Sequence, residues 1–558
     1  MVFRLIFMKN AVITVMFGGA AGDGIKEAGV SLGKLLTRYG QEVFISNEYP
    51  SLIRGGHNYC RVSFGTNKVF SDHKQVDVLV AFNDESISLH QKEIKKGGVV
   101  ISETNLPMSE LVKQAGAPKI VRTAVALGAL CRYLNIDLEE LNKIFIETFG
   151  KKGKADLNIK LAEAGYDINI SKVKADSLAL GLKVKKTVQN KILADGNLAF
   201  AEGMLKAGLQ MYIAYPMTPA STILHYLAGK PPALGFKAVH PESELGAVNM
   251  AVGAAYAGAR VATGSSGGGF ALMEESFSLA GITEVPLVVA ISQRPGPATG
   301  VPTGTAQADL QMARFAGHGE FPRLVLAPGD ADEAFQAGMS ALNWAWKFQI
   351  PVIVLLDKHL SESLMTCDFS KIKAKVESGK LSKGGGEYKR YELTRDGISP
   401  LAFPGTVNTV IKANSYEHDE FGISIEDALT TQKMNDKRWC KLPDIIRAVS
   451  KEAIKIYGDK TSKNVILFWG STKGAVLEAL KFTKKSYLAI QILCLEPFPK
   501  EQMNKILKTA KSITVIEGNI TGQLASIIRE QTGVEIKNKI LKCDGRPFEV
   551  EEVIKLLV

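Results

Sequence analysis

Thr218, Glu244 and Arg294 are residue types that hold or move charge, and each borders an apolar run. Thr218 lies in Tyr215-Pro216-Met217-Thr218-Pro219, directly after the apolar stretch Met211–Tyr215. The proline that follows keeps Thr218 extended, and Pro219 itself suits the first position of a helix. The hydroxyl is then either a helix N-cap or a group held at the carboxyl end of a strand, where open α/β sheets bind ligands. Glu244 closes His240-Pro241-Glu242-Ser243-Glu244 and heads Leu245–Ala257, rich in Gly, Ala, Val and Met and expected to form a helix buried all round. An acid there complements the helix dipole, but beside so apolar a helix it is desolvated and needs a specific partner. Arg294 ends the run Leu287–Ser292-Gln293 and precedes Pro295-Gly296-Pro297. It is either a plain surface arginine or a bidentate holder of carboxylate or phosphate.

Glycine-rich turns offer further places for a ligand. Gly264-Ser265-Ser266-Gly267-Gly268-Gly269 falls between a strand and a helix, either letting a cofactor approach the backbone or simply turning the chain. Residues 18–24, GGAAGDG, close one strand and open a helix, the setting of a phosphate-binding turn. Their order is not GxGxxG. Gly22-Asp23-Gly24 with Asn47 also mimics a magnesium–diphosphate signature, but only 22 residues separate Gly24 from Asn47, too few for that motif. Glu417-His418-Asp419-Glu420 is consecutive, so its side chains diverge, and a solvated loop is expected there. Arg54-Gly55-Gly56-His57 either grips an anion or turns the chain.

The elements that must position these residues read as α/β throughout. Residues 1–170 alternate strand and helix signals (Ala11–Phe17, Ile25–Tyr39, Val76–Phe82, Gly98–Ser102), as does the stretch from 191 to 368. Residues 171–190 are Lys-rich and read as a linker. Residues 369–445 break the rhythm and read as a long connection over the surface, and 446–558 form a last α/β unit. The expectation is three α/β domains with mainly parallel sheets.

Composition narrows the classes. Apolar residues make up 46% and charged residues 22%, which excludes a disordered chain. The net charge of +11 is spread along the chain with no basic, aromatic-interleaved run, so no nucleic-acid partner is expected. No apolar run reaches the ~18 residues of a membrane span. Arg4 and Lys9 before Ala11–Phe17 imitate a signal peptide, but the run leads straight into a glycine turn and a patterned helix. Six scattered cysteines form no CxxC, which disfavours a zinc or four-cysteine iron–sulfur site and suits reduced thiols of a cytoplasmic protein.

Five ordered stretches resemble one family: YPMTP, HPESELGAVNMAVGAAYAG, TGSSGGGFALMEE, QRPGPATGVPTG and GHGEFPRLVLAPGD. Together they closely resemble the α subunit of 2-oxoacid:ferredoxin oxidoreductases, and EYPSLIRGGHN at 48–58 resembles that family's γ domain, fused ahead. YKRYELTRDGISPLAFPGT at 388–406 and the last unit fit the same subunit type, most like its 2-oxoglutarate branch. The resemblance implies a pyrimidine-type thiamine-diphosphate domain in the centre and a transketolase-C-like domain at the end. It implies oxidative decarboxylation of a 2-oxoacid with thiamine diphosphate and coenzyme A, giving CO2, an acyl-CoA and electrons for ferredoxin. A separate β subunit is implied to hold the diphosphate, Mg2+ and a [4Fe–4S] cluster, in an αβ heterodimer or a dimer of heterodimers. Glu244 then hydrogen-bonds N1′ of the aminopyrimidine, with Tyr215, Gly267 and Gly268 as further cofactor contacts. Thr218 and Arg294 match the positions that hold the substrate's carboxylate and oxo group. Two departures stand out: Met217 where the family has Ile, and Thr303-Gly304-Thr305-Ala306-Gln307-Ala308-Asp309-Leu310 where it commonly reads TRTEQGDL. The rival readings are a nucleotide-dependent dehydrogenase using residues 18–24 and a non-catalytic scaffold subunit.

Overall fold

A computed structural model describes residues 12–50, 56–150, 153–168, 190–231, 235–384 and 387–557. The linker expected at 171–190 and Arg54 and Gly55 of the RGGH stretch lie outside the described residues, apart from Asn190. The chain forms two compact units: Met1–Ala194 with Glu362–Ser370 and Glu549–Leu557, and Asp195–Ser361 with Lys371–Phe548.

In the first unit, Ile13–Ala20 is apolar on both faces and becomes a central strand with its first seven residues buried. It pairs in parallel with Val76–Ala81 and antiparallel with His57–Gly65. The seven-stranded order is Ile94–Ile101, Val76–Ala81, Ile13–Ala20, His57–Gly65, Glu42–Glu48, Leu364–Cys367, Ile192–Ala194. Four of the six pairings are antiparallel, so this sheet is mixed rather than parallel. The reason is local: Glu42–Glu48 and His57–Gly65 are joined closely enough to fold back on each other, which needs no crossover helix. Leu364–Cys367, expected with the central strands, joins this sheet instead. The helices Arg122–Tyr133 and Ala155–Asp167 cross closely because a Cβ on Gly128 would lie 1.9 Å from the Ala162 carbonyl oxygen.

The second unit holds two sheets. Its seven-stranded sheet runs Cys494–Glu496, Leu324–Leu326, Pro351–Asp357, Leu287–Gln293, Val261–Ser265, Met211–Ile213, Lys237–Val239, parallel except for the first strand. The five-stranded sheet runs Ile454–Gly458, Leu488–Ile492, Asn464–Phe468, Ser512–Glu517, Asn538–Leu541, parallel except at Ile454–Gly458. One apolar core spans both, from Val289 and Ile353 to Leu467 and Val515.

Three expectations need correction here. The helix Glu244–Tyr256 is not buried all round, because Leu245 and Met250 are 47% and 46% exposed. Residues 369–445 do more than cross the surface: they bury Arg390, Tyr391, His418 and Lys437, and include the helix Ala428–Trp439. Within them Glu417–Glu420 is no solvated loop. His418 is fully buried with its ring 3.9 Å from that of Tyr391, and Glu417 pairs with Arg438. Among the described residues no helix is long and apolar enough to cross a membrane.

Candidate functional site

Parallel strands of one sheet end on the same side, so the segments after Ile213, Ser265 and Gln293 meet there. The first carries Tyr215 to Pro219. Its peptide Thr218–Pro219 is cis, and fully buried Asn197 donates to the Pro219 carbonyl at 2.9 Å. The following helix begins only at Ser221, so Thr218 is not its N-cap and Pro219 is not its first residue. Thr218 is instead exposed, and its carbonyl accepts from Arg294 Nη1 at 2.6 Å. Ser266 Oγ donates to Met217 Sδ at 2.5 Å, tying this loop to the glycine turn. The Tyr215 ring packs 5.8 Å from that of His240.

Glu244 opens its helix behind a Ser243 N-cap, whose hydroxyl accepts from Gly246 N at 3.1 Å. Its side chain is turned inward, leaving the residue 4% exposed. Among the described residues its carboxylate receives one long hydrogen bond, from Ser265 Oγ at 3.4 Å. A Cβ on Gly269 would stand 2.7 Å from Glu244 Oε1, so only glycine leaves room for this carboxylate. Gly268 is exposed, and a Cβ there would meet only the Ala298 carbonyl oxygen, at 3.7 Å, while a Cβ on Gly267 would meet the Asp309 carboxylate at 2.4 Å. The glycine triplet therefore lies between two carboxylates.

Asp309 was not legible as a site residue. It looks like an ordinary acid among small residues, and only its neighbours in space mark it. Among the described residues its buried Oδ2 has no hydrogen-bond partner, and burial pushes its carboxyl up to about 6 against the pull of Arg294. Burial in turn lowers the Arg294 guanidinium, with Asp309 opposing. The segment 303–309 is fixed from behind: Thr305 N donates to the Gly545 carbonyl at 2.8 Å, and Gln307 Nε2 to that of Trp469 at 2.8 Å.

The structure thus brings Thr218, Arg294, Asp309, Glu244 and the 267–269 turn to one end of one sheet, with Tyr215 beside them. The turn at residues 18–24 is of another kind. Asp23 accepts from Ala20 N at 3.0 Å and from Arg122 Nη2 at 2.9 Å, so a carboxylate already occupies the place a phosphate would need. His57 opens its strand, with Nε2 2.8 Å from His90 Nε2.

Both units match families of known proteins. Residues 202–436 match the family described as pyruvate flavodoxin/ferredoxin oxidoreductase, thiamine diP-binding, and residues 14–168 the one described as pyruvate ferredoxin/flavodoxin oxidoreductase. The chain is 33% identical to the 2-oxoacid:ferredoxin oxidoreductase subunit alpha of Sulfolobus sp, over 97% of this chain and 96% of that one. It is 26% identical to the 2-oxoglutarate oxidoreductase subunit KorA of Mycobacterium tuberculosis, over 98% and 91%. A solved structure of 2-oxoglutarate:ferredoxin oxidoreductase from Magnetococcus marinus, with 2-oxoglutarate, coenzyme A and succinyl-CoA bound, superposes with a TM-score of 0.88 at 31% identity, covering 98% and 99% of the two chains.

Proposed function

The chain belongs to the family of 2-oxoacid:ferredoxin oxidoreductase α subunits, and from that premise we propose that it catalyses coenzyme-A-dependent oxidative decarboxylation of 2-oxoglutarate in complex with a β subunit. The products are succinyl-CoA and CO2, with two electrons delivered to ferredoxin in the cytoplasm. The observation that carries this reading is the convergence of Glu244, Thr218 and Arg294 beside the open Gly268 turn. The choice of 2-oxoglutarate leans on the Magnetococcus and Mycobacterium relatives.

The residues present fit the aminopyrimidine half of thiamine diphosphate. A buried carboxylate with one weak partner lies against a glycine turn that a Cβ at Gly267 or Gly269 would fill. When bound, thiamine diphosphate supplies the nucleophilic carbon that attacks the 2-oxo group and stores the electrons of decarboxylation. Glu244 holds a proton at N1′ of the aminopyrimidine, a task that suits a carboxylate shielded from water. Arg294 anchors the substrate carboxylate, exchanging its bond to the Thr218 carbonyl for a charge-assisted one. The Thr218 hydroxyl, on a loop pinned by Asn197, orients the oxo group. The diphosphate, Mg2+ and the [4Fe–4S] cluster are assigned to the β subunit, since residues 18–24 are filled by Asp23 and the six cysteines are scattered.

The test is anaerobic viologen reduction by the complex purified from its native source, with 2-oxoglutarate, pyruvate and a branched 2-oxoacid, each with and without coenzyme A. Coenzyme-A-dependent reduction is expected with 2-oxoglutarate. Reduction with another acid alone would replace the substrate, and none with any acid would refute the reading.

A further inference from the structure

Arg294 and Asp309 are an unusual pair for a site that binds anions. Asp309 N donates to Oε1 of Gln293, the residue before Arg294, at 3.0 Å. Among the described residues the Arg294 guanidinium is the only charged group that acts on the Asp309 carboxyl to a resolved extent, although the two form no ion pair within 4.0 Å. The nearest charged strand end meets the segment at Thr305, whose hydroxyl donates to Asp357 Oδ1 at 3.3 Å and accepts from His359 N at 3.2 Å, and neither side chain acts on Asp309 to a resolved extent. The segment 295–308 has no titratable side chain, and neither does the 267–271 turn. The helix Leu310–Phe315 carries Arg314, but this points to Glu496 at 3.0 Å and Glu530 at 2.8 Å. The helix Gln523–Thr532 reaches the segment through Gln523, whose Oε1 accepts from Gln311 N at 3.1 Å. Glu244 stands at the other end of the glycine triplet, against Ser265.

From this geometry we propose that Asp309 is a positioning residue of the substrate site, which takes up a proton when a 2-oxoacid carboxylate binds Arg294. The proposal rests on the reading of Arg294 given above. The arriving carboxylate draws on the one cation that favours the Asp309 anion and adds a like charge nearby. Asp309 is already poised, since burial holds it at about 6 and Oδ2 has no donor to stabilise the charged form. Once neutral, it puts no like charge beside the substrate carboxylate that Arg294 holds. Its proton comes from solvent, and no bond other than O–H forms.

The experiment is calorimetric titration of the anaerobic purified complex with 2-hydroxyglutarate, which carries the carboxylates without an oxo group to react. It is run in buffers of different ionisation enthalpy. Wild-type protein is expected to take up about half a proton or more per site at pH 7, and to bind roughly tenfold more weakly at pH 8 than at pH 6. His240, packed on Tyr215, is another imidazole at this end of the sheet, and Asp309→Asn tells its contribution from that of Asp309. That variant is expected to lose the uptake and to flatten the pH dependence of binding. Binding by wild type without proton uptake overturns this inference alone and needs no variant. Uptake that persists in Asp309→Asn overturns it as well. Absence of binding, together with absence of viologen reduction by 2-oxoacids, overturns the substrate reading and this inference with it.

Discussion

Glu244 and Glu284 lie in the same unit and are almost equally buried, at 4% and 2% exposure, yet their surroundings differ completely. Glu284 accepts from Lys437 Nζ at 2.7 and 2.9 Å and also from Lys441 Nζ. Arg390 Nη2 donates to its carbonyl at 2.9 Å, which fixes a backbone held at φ 49, a left-handed conformation costly for a residue with a Cβ. Burial alone would raise the Glu284 carboxyl, but Lys437, Lys441 and Arg390 hold it far below the usual carboxylate range. Glu244 has one long hydrogen bond and an open glycine turn in front of it. A buried charge with all its partners fastens the chain, whereas one without them is complete only when something else arrives.

The largest effect expected from breaking this contrast is at Glu244. Glu244→Gln keeps the shape and removes the charge, so turnover in the viologen assay should fall by roughly 10²–10⁴-fold. Because the native carboxylate has little to lose, the thermal midpoint should move by less than about 2 °C. Normal turnover in this variant would refute the proposed role.

Glu284→Gln should do the opposite. It leaves the buried ammonium groups of Lys437 and Lys441 without a countercharge, at a cost of about 3–5 kcal/mol in denaturant unfolding. The pH dependence follows from the same group. Its folded pKa lies below its ordinary value of 4.5, so its stabilisation is complete above that value and is lost as pH falls further. Acid unfolding of the wild type should therefore steepen below about pH 4.5, and Glu284→Gln should lack that portion. A variant as stable as wild type would show that the cluster contributes nothing net.

Arg294→Ala comes next. Loss of a charge-assisted hydrogen bond to the substrate, about 1.5–3 kcal/mol, should lower kcat/KM by roughly tenfold to a hundredfold or more. An unchanged kcat/KM would remove Arg294 from the site.

How far the sequence disclosed these two regions follows from distance along the chain. Arg294 stands directly after an apolar strand, Thr218 a few residues after another, and Glu244 opens a helix, so local pattern marked them as candidates and the family resemblance gave them roles. The parallel strands of the central sheet were equally plain as buried apolar runs. Nothing local singles out Glu284, because its partners lie 153 and 157 residues further on. The antiparallel part of the first sheet escaped for a similar reason: Leu364–Cys367 returns to it from far along the chain, and no local signal records that pairing. Asp309 shows its surroundings only once Gly267 and Arg294 are folded against it.

The smallest effect tests how open the site is. The resemblance leads one to expect Ile at position 217, and Met217→Ile conserves volume, which ordinarily costs less than about 1.5 kcal/mol. The structure adds a competing consideration, since Ser266 Oγ donates to Met217 Sδ at 2.5 Å and Ser266 is fully buried. A thioether is a weak acceptor, so the hydroxyl loses little, and KM for the 2-oxoacid should change by less than about threefold. A tenfold rise would mean that the Ser266 hydroxyl depends on this acceptor to keep the glycine turn in place. The turn would then belong with Glu284, among the saturated contacts, and the open character of the site would be confined to Glu244, Arg294 and Asp309.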